Sequence, residues 1–267
     1  MSYKINPALN KFQFNIYSQN GEDGVIEEIL KRLGISNDNK KWCVEFGAWN
    51  GIHLSNTFAL VEKNWNAVYI EGEADRYQDL LKTAQKYPQI VPIHAFVARS
   101  QNEEYSLDKL LKQTQIPKEF ELLSIDIDTY DLDVWESLSS YSPKIVIIEI
   151  NSHVPPGIVW KHSPETQGNT FSATINVARL KGYTLVCHTG NCIFVRDDLV
   201  EKVKLDPQYI QYPELLFLYE FLNDSPWLPN KQYKLHRHPI VKFIPKFLRP
   251  IAKHIKLFKM GSRGQHS

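Results

Sequence analysis

Short, almost wholly apolar runs recur along this chain, separated by segments of helical period, and no other feature narrows its possible folds so far. WCVEFGA (42–48), AVYIEGE (67–73), IVPIHAFVA (90–98), ELLSIDID (121–128) and KIVIIEIN (144–151) read as strands. Several of them show no polar face, which places them in a sheet covered on both sides. Residues 22–33, 55–61, 75–84, 106–114 and 133–141 read as helices. The first of these carries Val25, Ile26, Ile29, Leu30 and Leu33 at helical spacing, with Gly34 where a C-cap glycine belongs. Strands alternating with helices imply a parallel sheet built from crossover units. A further helix over 171–181 ends at Gly182, and YTLVCHT and NCIFVRD then flank a Gly190-Asn191 turn. Strands that close together must pair antiparallel, because a parallel pair needs a crossover of about a dozen residues or more. The expected architecture is a seven-stranded α/β sheet, mostly parallel with an antiparallel terminal hairpin, and helices on both faces. The aromatic-rich YPELLFLYEFL (212–222) reads as one more helix packed on that body.

The chain has 267 residues, 43% hydrophobic and 23% charged, which suffices for one such domain and excludes disorder, collagen and a disulfide miniprotein. Cys43, Cys187 and Cys192 are too scattered for a disulfide framework or a zinc site; lying in apolar strand runs, they read as core residues. No window approaches the ~20 apolar residues of a membrane span, and residues 1–23 lack a secretory apolar run, so the expected location is cytoplasmic. The organisation reads as an N-terminal extension and helix (1–40), one domain with a C-terminal helical cover (41–233), and a basic tail (234–267).

Chemistry concentrates where strands end. The first strand runs into Glu45-Phe46-Gly47-Ala48-Trp49-Asn50-Gly51, whose glycines permit a sharp turn and close approach of a ligand. In an open α/β sheet this turn is where nucleotide-like ligands sit, although the spacing is not GxGxxG. Glu71 ends the second strand, where an acidic side chain can take both ribose hydroxyls of an adenosine.

The EFGAWNG turn, the VYIEGE strand, SIDIDTYD followed by VWESL, IVIIEIN and the final antiparallel pair together resemble a class I S-adenosylmethionine (SAM) methyltransferase with its Rossmann-like sheet, and most closely the FkbM-like group. YSQNGEDGVIEEIL resembles the SQ-x-GED stretch ahead of that domain, and the likeness covers residues 17–198. By this resemblance Glu45, Gly47 and Gly51, with Ala48 and Asn50 in the same turn, would lie against the methionine part of SAM, and Glu71 would hold its ribose. The group's acidic-Gly pair after the fourth strand is Asp128-Thr129 here.

Strand alternation puts Asp126 and Asp128 on one face, and likewise Glu149 and Asn151. If their strands are neighbours, hard oxygen ligands gather beside the cofactor turn and suit Mg²⁺, with Asp128, Glu149 and Asn151 as its ligands. Asp126 and Asp128 alternatively serve catalysis, cap loop amides or hold the adenosine side. His153 is the candidate general base, and a second, weaker candidate is His162 in the polar loop SHVPPGIVWKHSPETQGN, which reads as a lid over an acceptor. Gln19, with Glu22 and Asp23, is expected to touch SAM or acceptor, since capping by Ser18 or Asn20 accounts for only one residue of that segment. Trp49 either covers the cofactor or packs.

The net charge of +1 hides an asymmetry. From residue 234 onward lie nine Lys or Arg and no Asp or Glu, leaving 22 basic against 30 acidic residues in 1–233. HPIVKFIPKFLRPIAKHIKLFKM mixes cations with branched and aromatic residues, which fits attachment of the 234–260 tail to an anionic membrane surface at ~1 kcal/mol per basic residue. Docking on the acidic body and nucleic-acid binding are its rivals, and no nucleic-acid fold accompanies the charges. The terminal GSRGQHS reads as an appended remnant. The functional expectation is SAM-dependent O-methylation of a hydroxyl, foremost on a sugar of a glycan, glycolipid or glycosylated metabolite. A metal-dependent glycosyltransferase using Asp126-Ile-Asp128, and a non-catalytic SAM-fold module recruited to membranes, are the alternatives.

Overall fold

A computed structural model of the chain describes residues 9–38 and 40–222. Its first helix, α1 (Glu22–Leu33), starts and stops where its sequence dictates. Glu22 and Asp23 occupy the first turn; at the other end Gly34 enters the left-handed region (φ 71°) and its N–H donates to the carbonyls of Leu30 and Lys31.

The alternating units follow as β1 (Trp42–Phe46), α2 (Phe58–Val61), β2 (Asn66–Glu71), α3 (Ala74–Lys86), β3 (Ile90–His94), α4 (Leu107–Lys112), β4 (Leu122–Ile125), α5 (Asp131–Ser137), β5 (Ile145–Glu149) and α6 (Phe171–Leu180). They end in the hairpin β6 (Tyr183–His188) and β7 (Asn191–Arg196), then the short helices α7 (Val200–Val203) and α8 (Pro207–Gln211). The seven strands form one sheet in the order β3-β2-β1-β4-β5-β7-β6, parallel except that β7 runs antiparallel to both β5 and β6. This is the Rossmann-like sheet that the apolar runs and the hairpin imply.

The central strands are buried on both faces: Val44, Phe46, Leu123, Ile125, Val146 and Ile148 are at most 1% exposed. Trp135 of α5 is fully buried beside Phe194 and Tyr183, at 5.2 and 5.6 Å between ring centroids, fastening α5 to the hairpin side of the sheet. The chain works outward from β1 to β3 and then returns to β4 on the other side of β1, so a crevice opens at the carboxyl ends of β1 and β4. Ligands of open α/β sheets bind at such a switch point.

Several boundaries differ from the sequence reading. The fourth and fifth strands stop at Ile125 and Glu149, so Asp126, Asp128 and Asn151 lie in loops and strand alternation does not govern them. The second helix is a single turn, because the Ser55 hydroxyl takes the amides of Thr57 and Phe58 and delays its start. Residues 212–222 are not a helix but two 3₁₀ turns, Pro213–Leu216 and Tyr219–Leu222. They part at Phe217, whose backbone is extended, and the Leu218 amide donates to His188 Nδ1 at 3.0 Å instead of continuing a helix. The basic 234–267 tail lies outside the described residues, and none of the described helices is long and apolar enough to cross a membrane.

Candidate functional site

The turn after β1 is built against its neighbours. The amides of Gly47 and Ala48 both donate to the Ile70 carbonyl, at 3.1 and 3.2 Å. Gly47 has φ 74°, and a Cβ there would collide with the Asp126 carbonyl oxygen, so only glycine lets the ends of β1 and β4 approach this closely. The next residue, Trp49, is itself left-handed (φ 47°), and Glu71 secures it: Oε2 accepts from the Trp49 amide at 2.7 Å, while Oε1 accepts from the Glu73 amide at 2.8 Å. The Trp49 indole lies exposed under the Arg76 guanidinium, 4.5 Å from the ring centroid. Thus Gly47, Trp49 and Glu71 are brought together at the switch point. Ala48 and Gly51 face inward instead, with Gly51 close to Tyr69 and Leu80. Asn50 Oδ1 is occupied by the amides of Ile52 and His53, which shape the loop.

Glu45 is placed differently from the expectation of a methionine contact. It is buried, and its carboxylate accepts from the hydroxyls of Ser55 and Thr57 and from the Asn56 amide. Tyr69 joins through its hydroxyl, 2.8 Å from Thr57 Oγ1. Burial raises the Glu45 pKa and these hydrogen bonds oppose the rise. Its oxygens are occupied in bracing the β1–α2 loop from beneath.

Beside this turn, carboxylate oxygens of Asp126, Asp128 and Glu149 lie within 4.8 Å of one another. What shapes the loop that carries Asp126 and Asp128 is a residue the sequence reading did not single out. The Asp131 carboxylate accepts from the amides of Ile127 (2.7 Å) and Thr129 (3.0 Å), holding Asp128 between them in the left-handed region (φ 62°). Burial pushes Asp131 up to about 6. Asp126 and Glu149 both titrate above the usual carboxylate range, through desolvation first and then the charges of their acidic neighbours. Such crowding of like charge favours a proton or a cation at the cluster.

Asn151 does not join them. Its Nδ2 donates to the Gln167 carbonyl and its Oδ1 accepts from the His153 amide, because the strand has already ended and the chain is turning into the loop. His153 is half-buried, with Nδ1 2.7 Å from the Phe221 carbonyl. A carbonyl only accepts, so Nδ1 carries a proton, and of the two neutral tautomers this selects the one with its lone pair on Nε2. The adjacent Ser152 hydroxyl contacts His188 Nε2 at 2.9 Å and donates to the Gly190 carbonyl at 2.6 Å. His162 is structural: it stands edge-on to Tyr130, and its Nδ1 accepts from the Gly168 amide.

The segment at 17–23 is likewise spent on architecture. Asp23 Oδ2 takes the amides of Ile16, Tyr17 and Ser18, each within 2.8 Å. Glu22, fully buried, accepts from Thr189, Asn191 and the Asn20 amide. Asn191 is the register partner of Glu149, so this arm is tied down at the carboxyl edge, where Gln19 stays exposed. Cys43, Cys187 and Cys192 are fully buried core residues, as expected.

No family model matches the chain, and no curated protein does. Among solved structures the chain is similar to the METTL16 MTase domain, at 10% identity and a TM-score of 0.42, covering 65% of this chain and 66% of that one. A SAM dependent methyltransferase from Aquifex aeolicus gives 10% identity and a TM-score of 0.38 over 64% of this chain and 87% of that one. The N-terminal domain of EvdMO1, in the presence of SAH and D-fucose, gives 7% identity and 0.41 over 69% and 89%. These TM-scores all lie below one half, and the function of the site rests on its own geometry.

Proposed function

We propose that the chain is a SAM-dependent O-methyltransferase of FkbM-like kind, acting on a hydroxyl group, foremost that of a sugar. The observation that carries this reading is the fastening of the Glu71 carboxylate to the Trp49 amide at the switch point. Glu71 is buried like Glu45, but each of its oxygens holds one backbone amide and retains a lone pair, whereas Glu45 Oε2 already takes two hydroxyls, so it is the Glu71 pair that can accept two vicinal ribose hydroxyls. That residue set fits an adenosyl group with its ribose on Glu71 and its chain over Gly47 and Trp49.

SAM supplies a methyl group already activated by its sulfonium, with a neutral thioether as leaving group. The protein's part is alignment and proton removal. His153, with Nδ1–H engaged by Phe221, offers Nε2 to receive the hydroxyl proton. Asp126, Asp128 and Glu149 fit a divalent cation, which in that place would lower the pKa of a coordinated hydroxyl.

Calorimetric titration with S-adenosylhomocysteine (SAH) tests the reading. Micromolar binding to the wild type, weakened at least about 100-fold in Glu71→Ala, supports it, since two charge-assisted hydrogen bonds are lost. Absence of SAH binding overturns it, and binding of a nucleotide sugar with Mn²⁺ in its place would favour the glycosyltransferase alternative.

A further inference from the structure

Of the nine large hydrophobic side chains exposed among the described residues, six share one end of the molecule, while Leu180 at the end of α6 and Ile210 in α8 lie elsewhere. Phe14, Ile16, Trp49, Leu54, Phe96 and Val159 are each between 40% and 68% exposed. All six lie on segments at the carboxyl edge of the parallel strands. Trp49 and Leu54 follow β1, Phe96 follows β3 and packs over Gly72, and Val159 is in the loop after β5. Phe14 and Ile16 belong to the arm that Asp23 and Glu22 tie to the β6–β7 turn. Trp49 and Leu54 also hold left-handed backbone, which turns a large apolar side chain outward at a strained position. Single exposed apolar residues need no explanation, but six on segments that share one edge of the sheet, its apolar rim, mark an interaction surface.

The chemistry of the occupant follows from what the chain does next. The described residues end at Leu222, beside this same rim: the Phe221 carbonyl meets His153, and its ring lies against Gly190 in the hairpin turn. From that point the sequence continues for 45 residues, in which nine Lys or Arg and no Asp or Glu follow position 233, interleaved with Ile, Phe and Leu. A surface that accepts aromatic and aliphatic side chains together with a block of cations is a bilayer bearing anionic headgroups.

We propose that the carboxyl edge is a membrane-docking face: the six apolar side chains enter the interface of an anionic bilayer, and the 234–260 segment provides the electrostatic attraction. Resting on the methyltransferase reading, this makes the acceptor a hydroxyl carried at the bilayer surface, such as that of a glycolipid. The open mouth then faces its substrate across the interface.

Vesicle flotation with the full-length protein tests the docking by itself. Vesicles of phosphatidylcholine with 30% phosphatidylglycerol, an on-the-order-of-physiological anionic fraction, are expected to carry the protein, and pure phosphatidylcholine vesicles to leave it behind. Replacing Lys242, Lys246, Arg249, Lys253 and Lys256 by Gln should cut partitioning more than about tenfold, and so should ~0.5 M salt. The rim is read separately with Ile16→Ser, Leu54→Asn and Val159→Ser combined, which should weaken partitioning about tenfold at unchanged thermal midpoint. No binding to anionic vesicles overturns the proposal, as does binding that the rim variant does not weaken. The SAH titration is independent of both, so docking without SAH binding would sink the enzyme reading and leave the face standing.

Discussion

Gly47 and Gly34 share a left-handed backbone but not their surroundings, and the contrast isolates what the turn after β1 demands. A methyl group at Gly34 meets nothing within 4 Å, whereas at Gly47 it strikes the Asp126 carbonyl. Gly34→Ala should therefore cost only the conformational penalty, about 1 kcal/mol, and Gly47→Ala at least about 3 kcal/mol, read from urea midpoints. Equal costs would mean that the ends of β1 and β4 yield freely. His188 makes a second prediction at this scale. It is fully buried, stacked on Phe217 with ring centroids 4.7 Å apart, and desolvation lowers its pKa to about 3 from an ordinary 6.5. The unfolded chain thus takes up the proton first. The contribution is complete above pH ~6.5 and is lost as pH falls toward 3, amounting to about 3 kcal/mol by pH 4. Urea midpoints between pH 7 and pH 4 should fall more steeply for the wild type than for His188→Gln; parallel slopes would show that His188 does not exclude its proton.

At the scale of elements, the turn between β4 and α5 depends on one side chain. Asp131→Ala strips two amides of their acceptor inside the loop that presents Asp126 and Asp128. It should lower stability by about 1–2 kcal/mol and weaken SAH binding, while Asp131→Asn, which keeps one acceptor, should fall between. Unchanged SAH affinity in Asp131→Ala would detach that turn from the nucleoside site. The same turn shows where legibility in the sequence ends. Runs such as IVIIE announce buried strands because nothing else tolerates so many apolar neighbours, and Gly34 announces a helix end through its backbone alone. Strand ends are decided instead by side-chain hydrogen bonds within the loops that follow, which an apolar run does not announce. Asp128 leaves the sheet because Asp131 holds the amides on either side of it, and Asn151 leaves because the loop claims both ends of its amide. Residues 212–222 have helical periodicity, yet the Leu218 amide bonds His188 and the extended backbone at Phe217 lets Phe217 and Phe221 flank that ring. Glu45, Glu22 and Asp23 look like ligand contacts in sequence for a related reason. Carboxylates buried on donor-rich loops and carboxylates awaiting a ligand are written with the same letters.

Over the whole molecule, the two edges of the sheet are unlike. The carboxyl edge gathers the left-handed residues Trp49, Leu54 and Asp128, the Asp126–Asp128–Glu149 cluster and the outward-facing apolar rim. The amino edge passes into the short helices α7 and α8, with buried Val200, Val203 and Tyr209. Strain and unneutralised charge at one end lower local stability, and a ligand that supplies the missing contacts restores it there. Saturating SAH should consequently slow amide hydrogen exchange in residues 47–56, 71–73 and 126–131. Exchange in 200–211 should stay within about twofold of the ligand-free protein, because local ordering is felt only where the ligand touches. At ~100 times its dissociation constant SAH adds only about 2.7 kcal/mol to global stability, so the slowest core amides of β4 and β5 would shift by up to that amount and no more. Protection centred on the hairpin's far end or on α7 and α8 would place the nucleoside elsewhere and disconnect Glu71 from it. Protection reaching residues 152–168 as well would show that the loop carrying His153 closes over the bound nucleoside.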